Sequence, residues 1–192
     1  MTRCLLVVIL FLLTGCGSAL TATTEPARTE SAPAPDSSYN DTDVMFLQMA
    51  VPNHKQGMAL ADLAVARATR TDVRDLAAAV KATQSDELAE METWLTKWNQ
   101  PVAADPDPNA HTGHGGMHGT DPAVVADLES TPAGPDFDRK FLNLLTGHQH
   151  GAVELARMEQ KDGFNPDTKS LADRIVKSRT AQIQQMLAYL EQ

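Results

Sequence analysis

The chain has 192 residues and is acidic, with 25 Asp and Glu against 16 Lys and Arg and a formal net charge of -9. No basic cluster interrupts that balance, which argues against nucleic acid as a partner and for long-range attraction of cations. Its 2 cysteines, Cys4 and Cys16, both lie near the start, so no disulfide framework is expected and core packing must hold the fold.

Residues 1–15 open with Arg3 and continue as an apolar run, Leu5–Leu13, too short to span a bilayer comfortably. This is signal-peptide architecture. The ending Leu13-Thr14-Gly15-Cys16 looks like a lipobox, where a bacterial lipoprotein is cut and acylated on its cysteine. Lipid on Cys16 would tether the protein to the cell membrane, exposed outside the cytoplasm, without a spanning helix. The stretch 16–40 is rich in Ala, Thr, Ser and Pro with almost no large apolar side chain, the composition of a flexible stalk.

From 41 to 192 the pattern becomes helical. Phe46, Met49, Ala50, Asn53, Gly57, Leu60 and Ala64 share one face of a 3.6-residue wheel. Pro52 lies inside that run and lacks a backbone donor, so a kink or break near Val51 is expected. A turn near Arg70 and Thr71 should lead into a second helix, begun by Asp72 and closed before Pro101, that buries Leu76, Val80, Leu88, Met91, Trp94, Leu95 and Trp98. Residues 41–98 thus form a first hairpin. Residues 99–135, full of Pro, Gly and Asp, read as a long irregular crossover, and 136–192 as a second hairpin with Gly163 and Pro166 at its turn.

The second hairpin resembles the first. When the sequence is slid so that Asp43 falls on Asp138, Phe46 falls on Phe141, Leu47 on Leu142, Leu60 on Leu155, Ala61 on Ala156 and Met91 on Met186. An ungapped frame of this kind reads as an internal duplication. Each hairpin has one apolar side, so the two are expected to pack as an all-α four-helix bundle around a single core.

Two groups of residues suggest chemistry. The crossover carries His111, His114, Met117 and His118 among glycines. Imidazoles and a thioether so closely spaced can wrap a small cation, and the thioether narrows the preference toward Cu(I). The second group comes from hairpin geometry. With turns near 70 and 165, Asn53 and His54 lie level with Glu87, and His148 meets Gln182. Gln84, Glu87, Arg179 and Gln182 also face inward, giving a polar layer of Asn53, His54, Glu87, His148 and Gln182 across the bundle. A thioether layer of Met49, Met91 and Met186 is expected beside it, with Met58 one turn beyond His54. Buried polar groups need partners. Either Glu87 pairs with Arg179 and the layer sets helix register, or His54, His148 and Met58, with Met49, Met91 and Met186 as softer donors, hold a metal ion.

Enzymatic chemistry has little support. No Glu-x-x-His spacing of the di-iron bundles occurs, and no Gly-rich phosphate loop or nucleophile elbow.

The run Asp43-x-x-Phe46-Leu47-x-Met49-x-Val51-Pro52-Asn53-His54, then Gln56 and Met58-Ala59-x-Ala61, resembles the domain of unknown function 305 family. Those bacterial envelope proteins have ferritin-like helical hairpins, and the resemblance covers about residues 41–192. Some members bind copper, so the resemblance implies a copper-binding envelope protein for storage, sequestration or tolerance. The paired histidines of the family motif have become Asn53-His54 here, and His148-Gln149 in the second hairpin. The rival expectation is a structural or interaction lipoprotein without stoichiometric metal, its bundle docking another envelope protein or a second copy.

Overall fold

The structure, a computed structural model, describes residues 38–102 and 120–192. Cys16 and the stretch holding His111, His114, Met117 and His118 lie outside the described residues.

Five helices and no strand make up the described residues: α1 (Asp41–Arg67), α2 (Thr71–Lys97), α3 (Pro122–Ser130), α4 (Pro135–Asp162) and α5 (Pro166–Leu190). The ends follow from local chemistry. Asn40 and Asp43 form a capping box on α1, each side chain accepting from the other's backbone amide. Asn165 caps α5 by accepting from the amides of Asp167 and Thr168, and Pro166 supplies the pre-set φ of its first turn. α4 likewise begins on a proline, Pro135.

α1 packs on α2 and α4 on α5, and the α1–α4 contact joins the hairpins into one bundle. Two buried acids fix that junction. Asp138, in the first turn of α4, accepts from Thr69 N (2.9 Å), Thr69 Oγ1 (2.6 Å) and Arg70 N (3.0 Å) in the α1–α2 turn. Asp43, at the aligned position in α1, accepts from Phe164 N (3.0 Å), Asn165 N (2.9 Å) and Thr168 Oγ1 (2.8 Å) in the α4–α5 turn. Each hairpin therefore caps the turn of the other, and α1 and α4 run antiparallel.

The apolar core of the described residues falls into two clusters. One gathers Leu60, Ala64, Val73, Leu76, Val80, Phe137, Phe141, Leu145, Ile183 and Met186. The other gathers Phe46, Leu47, Ala50, Met91, Leu95, Trp98, Ala156, Leu171 and Ile175. A polar layer lies at the waist between them.

Three expectations change. α1 passes through Pro52 without a break. The missing amide removes one hydrogen bond, but Val51 and His54 on either side are buried, and their packing holds both turns helical. The crossover is not wholly irregular. α3, capped by Asp121 and started by Pro122, docks on α4 through Leu128. The methionines do not form one layer, because Met91 and Met186 belong to different clusters on opposite sides of the waist.

Candidate functional site

The waist is built from α1, α2, α4 and α5. His54 is almost wholly buried, with Nδ1 3.0 Å from the Ala50 carbonyl and Nε2 2.8 Å from Glu87 Oε2. Arg179, fully buried on α5, donates to the same carboxylate oxygen and lies 3.3 Å from His54 Nε2. The three side chains form one charged triad joining both hairpins. Burial and the charge of Arg179 push the His54 imidazole toward its neutral form, against the pull of Glu87. Burial works to raise the Glu87 carboxyl, but the His54 hydrogen bond and the Arg179 charge outweigh it and hold it lowered. The layer is thus a matched pair, Glu87 and Arg179, with a neutral imidazole beside it.

The aligned positions in the second hairpin carry amides. Gln149 aligns with His54 and Gln182 with Glu87, and Gln149 Nε2 donates to Gln182 Oε1 at 2.7 Å. Gln84 aligns with Arg179. The same cross-helix contact is therefore made twice, ionisable in one hairpin and neutral in the other.

The helical rotation differs from the wheel expectation by about one position. Asn53 is half-buried and His54 takes the core position, while Gln182 is met by Gln149 and not by His148. α1 is flanked by both α2 and α4, so its buried arc is wider than the ~100° between successive residues and an apolar wheel cannot choose between neighbours.

His148 sits at the edge of the layer. Its Nδ1 is 3.0 Å from Thr120 Oγ1, and its Nε2 points inward without a hydrogen-bond partner. Both amide atoms of Gln84 are likewise buried and unpartnered. These groups converge over Gly57. A Cβ there would lie 2.3 Å from Gln84 Oε1 and 2.8 Å from His148 Nε2, so this position needs a residue without a side chain. Burial, aided by the nearby Arg179 charge, lowers the His148 imidazole to about 4, leaving it neutral at pH 7.

Outward from His148, a cleft of about 580 Å³ opens between α3 and α4, lined by Thr120, Asp127, Leu128, Lys140, His150 and Glu154 among others. Thr120 is held there by Gln56, which accepts from its amide at 3.1 Å and donates to its carbonyl at 3.3 Å.

The other expected donors are dispersed. Met49 is buried, Met58 half-buried, Met91 sits in the cluster of Phe46 and Leu95, and Met186 accepts a long hydrogen bond from Thr146 in the opposite cluster. Among the described residues, no group of three or more His, Cys, Asp or Glu side chains is placed to hold a metal ion. Gln149 and Thr120 matter to the site and were not singled out in the sequence, whereas Gln84 and Gly57 lie on the inward faces expected of them. The available signal was alignment of the hairpins, which sets Gln149 under His54.

These elements define an all-α bundle of two helical hairpins with a buried polar waist. The model of the family described as "Domain of unknown function (DUF305)" matches residues 43–190, and the chain belongs to that family. Among solved structures it is similar to a DUF305 fragment from Deinococcus radiodurans, at 28% identity over 79% of this chain and 97% of that one, with a TM-score of 0.68. It is also similar to a DUF305 protein from Streptomyces coelicolor, at 25% identity over 78% and 91%, with a TM-score of 0.70. CopM in its Cu(II)-bound form matches at 27% identity over 78% and 95%, with a TM-score of 0.64. Structures of CopM also exist with Cu(I) and with Ag. No curated protein sequence matches the chain.

Proposed function

We propose that this protein binds copper, or a similar soft or borderline metal ion, at the cell envelope and serves in storage, sequestration or tolerance. The observation that carries the reading is its likeness to CopM, seen with Cu(I), Cu(II) and Ag, at 26–27% identity over 78% of this chain. The acidic charge and the lipobox ending at Cys16 support it, since both suit a tethered protein that meets cations outside the cytoplasm. No helix among the described residues is long and apolar enough to cross a membrane.

The donor set favours the histidine-rich stretch over the waist. A cation beside His54 would face the Arg179 guanidinium, and Glu87 is already neutralised by it. His111, His114, Met117 and His118 carry no such conflict in sequence, and imidazole with thioether suits copper. His118 stands two residues before Thr120 in sequence, and Thr120 is tied to His148, so His148 and the exposed His150 are the bundle donors this reading would add to the stretch.

The test is a Cu(I) titration of the protein against a chromophoric chelator. We expect binding near ~1 equivalent, lost in a variant with His111, His114, Met117 and His118 all changed to Ala. Loss only in His54→Ala/His148→Ala would move the site to the waist. Failure of the wild type to compete with even a weak chelator would sink the metal reading and leave the structural lipoprotein as the better account.

A further inference from the structure

At the end of the bundle where residues 38–40 enter, two carboxyl groups meet. Asp43 is fully buried, and so is Glu159, in the last turn of α4. Neither oxygen of Glu159 has a donor from the protein. We propose that Glu159 and Asp43 share a proton, and that this proton closes a pH-sensitive latch holding residues 38–40 and the 163–165 turn on the bundle.

The donors around Asp43 decide between a proton and a cation. Its Oδ1 already accepts from Phe164 N, Asn165 N and Thr168 Oγ1, and its Oδ2 from Asn40 N at 2.6 Å. Oδ1, ringed by three donors, has no lone pair to offer a metal ion, and Oδ2 has room beside the Asn40 amide for the one hydrogen that Glu159 would supply. Two buried acceptor-only groups in contact are stable only if one carries a hydrogen. Placement decides which. Asp43 lies in the first turn of α1, where the helix dipole favours negative charge, and Glu159 lies in the last turn of α4, where the dipole opposes it.

The groups facing the pair leave Glu159 without a counter-ion. From α5, Lys169 gives only partial relief, because its Nζ donates to the Gly163 carbonyl at 3.1 Å. Thr168 gives its hydroxyl to Asp43 and offsets the rise of the Glu159 carboxyl only in part. From α1 comes only the Asp43 carboxylate, and Asp162 on α4 itself pairs with Lys161. Burial first, and then the contact with Asp43, accordingly raise the Glu159 carboxyl to about 8.

Loss of the proton must move the turn. Glu159 is pressed against Gly163 so closely that a Cβ there would lie 2.2 Å from its Oε1. An ionised Glu159 can reach water only if that turn lifts. Asn165 would move with it, and Asn165 both caps α5 and donates to the Ser38 carbonyl at 2.8 Å. Asn40, which donates to the Asp162 carbonyl at 3.0 Å, is the second tie to the entering segment. The latch is closed in acid and neutral solution and opens as pH rises through the Glu159 value.

The experiment is an NMR titration of the full chain from pH 5 to pH 10, following the Glu159 carboxyl carbon and the Phe164 and Asn165 amides, beside Glu159→Gln. The glutamine amide donates to Asp43 at every pH, so its latch should stay closed. We expect the Glu159 carbon and both amides to share a midpoint of about 8 in the wild type, with the amide transition absent in Glu159→Gln. A Glu159 carboxyl titrating in the ordinary carboxylate range, or amide transitions that persist in Glu159→Gln, would overturn the proposal. A thermal melt of both proteins at pH 6 confirms that the variant is folded.

Discussion

Replacing Glu87 by Gln should leave the Arg179 guanidinium fully buried without its counter-charge. Breaking a buried ion pair from one side costs about 3–5 kcal/mol, most of it the penalty of the stranded charge. Arg179→Gln should cost less, about 1–3 kcal/mol, because His54 lies 2.8 Å from Glu87 and can take up a proton to replace the lost cation. Arg179→Gln should accordingly raise the His54 pKa. The double variant Glu87→Gln/Arg179→Gln removes both charges and puts in the first hairpin the residue that Gln182 supplies in the second. It should lie within about 2 kcal/mol of wild type, since two neutral amides at these positions need no counter-ion. The assay is urea unfolding of all four proteins, with the midpoint and slope fitted together. A coupling of several kcal/mol is expected, far above the ~0.5 kcal/mol scatter of independent sites. Additive single effects would refute the triad as a unit.

Three further outcomes follow from the same geometry. Gly57→Ala should destabilise by about 1–3 kcal/mol despite the helix propensity gained, because its Cβ would overlap Gln84 and His148 in a closed layer; a variant as stable as wild type in urea would mean that those side chains have room to move. Asp138→Ala strands two amides and a hydroxyl of the α1–α2 turn and should cost about 2–4 kcal/mol in a thermal melt, with a loss below ~1 kcal/mol counting against Asp138 as the joint between hairpins. Because the Glu159 value is raised in the fold, its contribution is full below its ordinary range and is lost as pH climbs toward about 8; Glu159→Gln should flatten that decline, by roughly 3–5 kcal/mol between pH 4 and pH 9, in urea midpoints measured across the range.

The elements were legible along the chain because each depends on residues near it in sequence. Apolar spacing marked the long helices, the turn near residue 70 falls between Arg67 and Thr71, and the Gly163–Pro166 turn falls between Asp162 and Pro166. Inward-facing Glu87 and Arg179 stood out as charges on apolar faces, and the motif from Asp43 to Ala61 pointed to the family whose model matches residues 43–190. Partner choice was legible only in part: the level of His54 with Glu87 and the pairing of Glu87 with Arg179 could be read from hairpin geometry, the rest could not. A wheel says which residues share a face, yet α1 faces two helices at once, so only packing could select His54 over Asn53 and give Gln182 to Gln149 rather than His148. Nor could it place Met91 and Met186 in separate clusters or carry α1 unbroken past Pro52. Glu159 passed unnoticed for the same reason. Nothing within a few residues of it signals a buried acid, because the burial that chiefly raises its value, and the Asp43 carboxylate that adds to it, both come from other helices. Local periodicity is set by the backbone's own geometry, whereas the environment of a charge is set by whichever distant segments close around it.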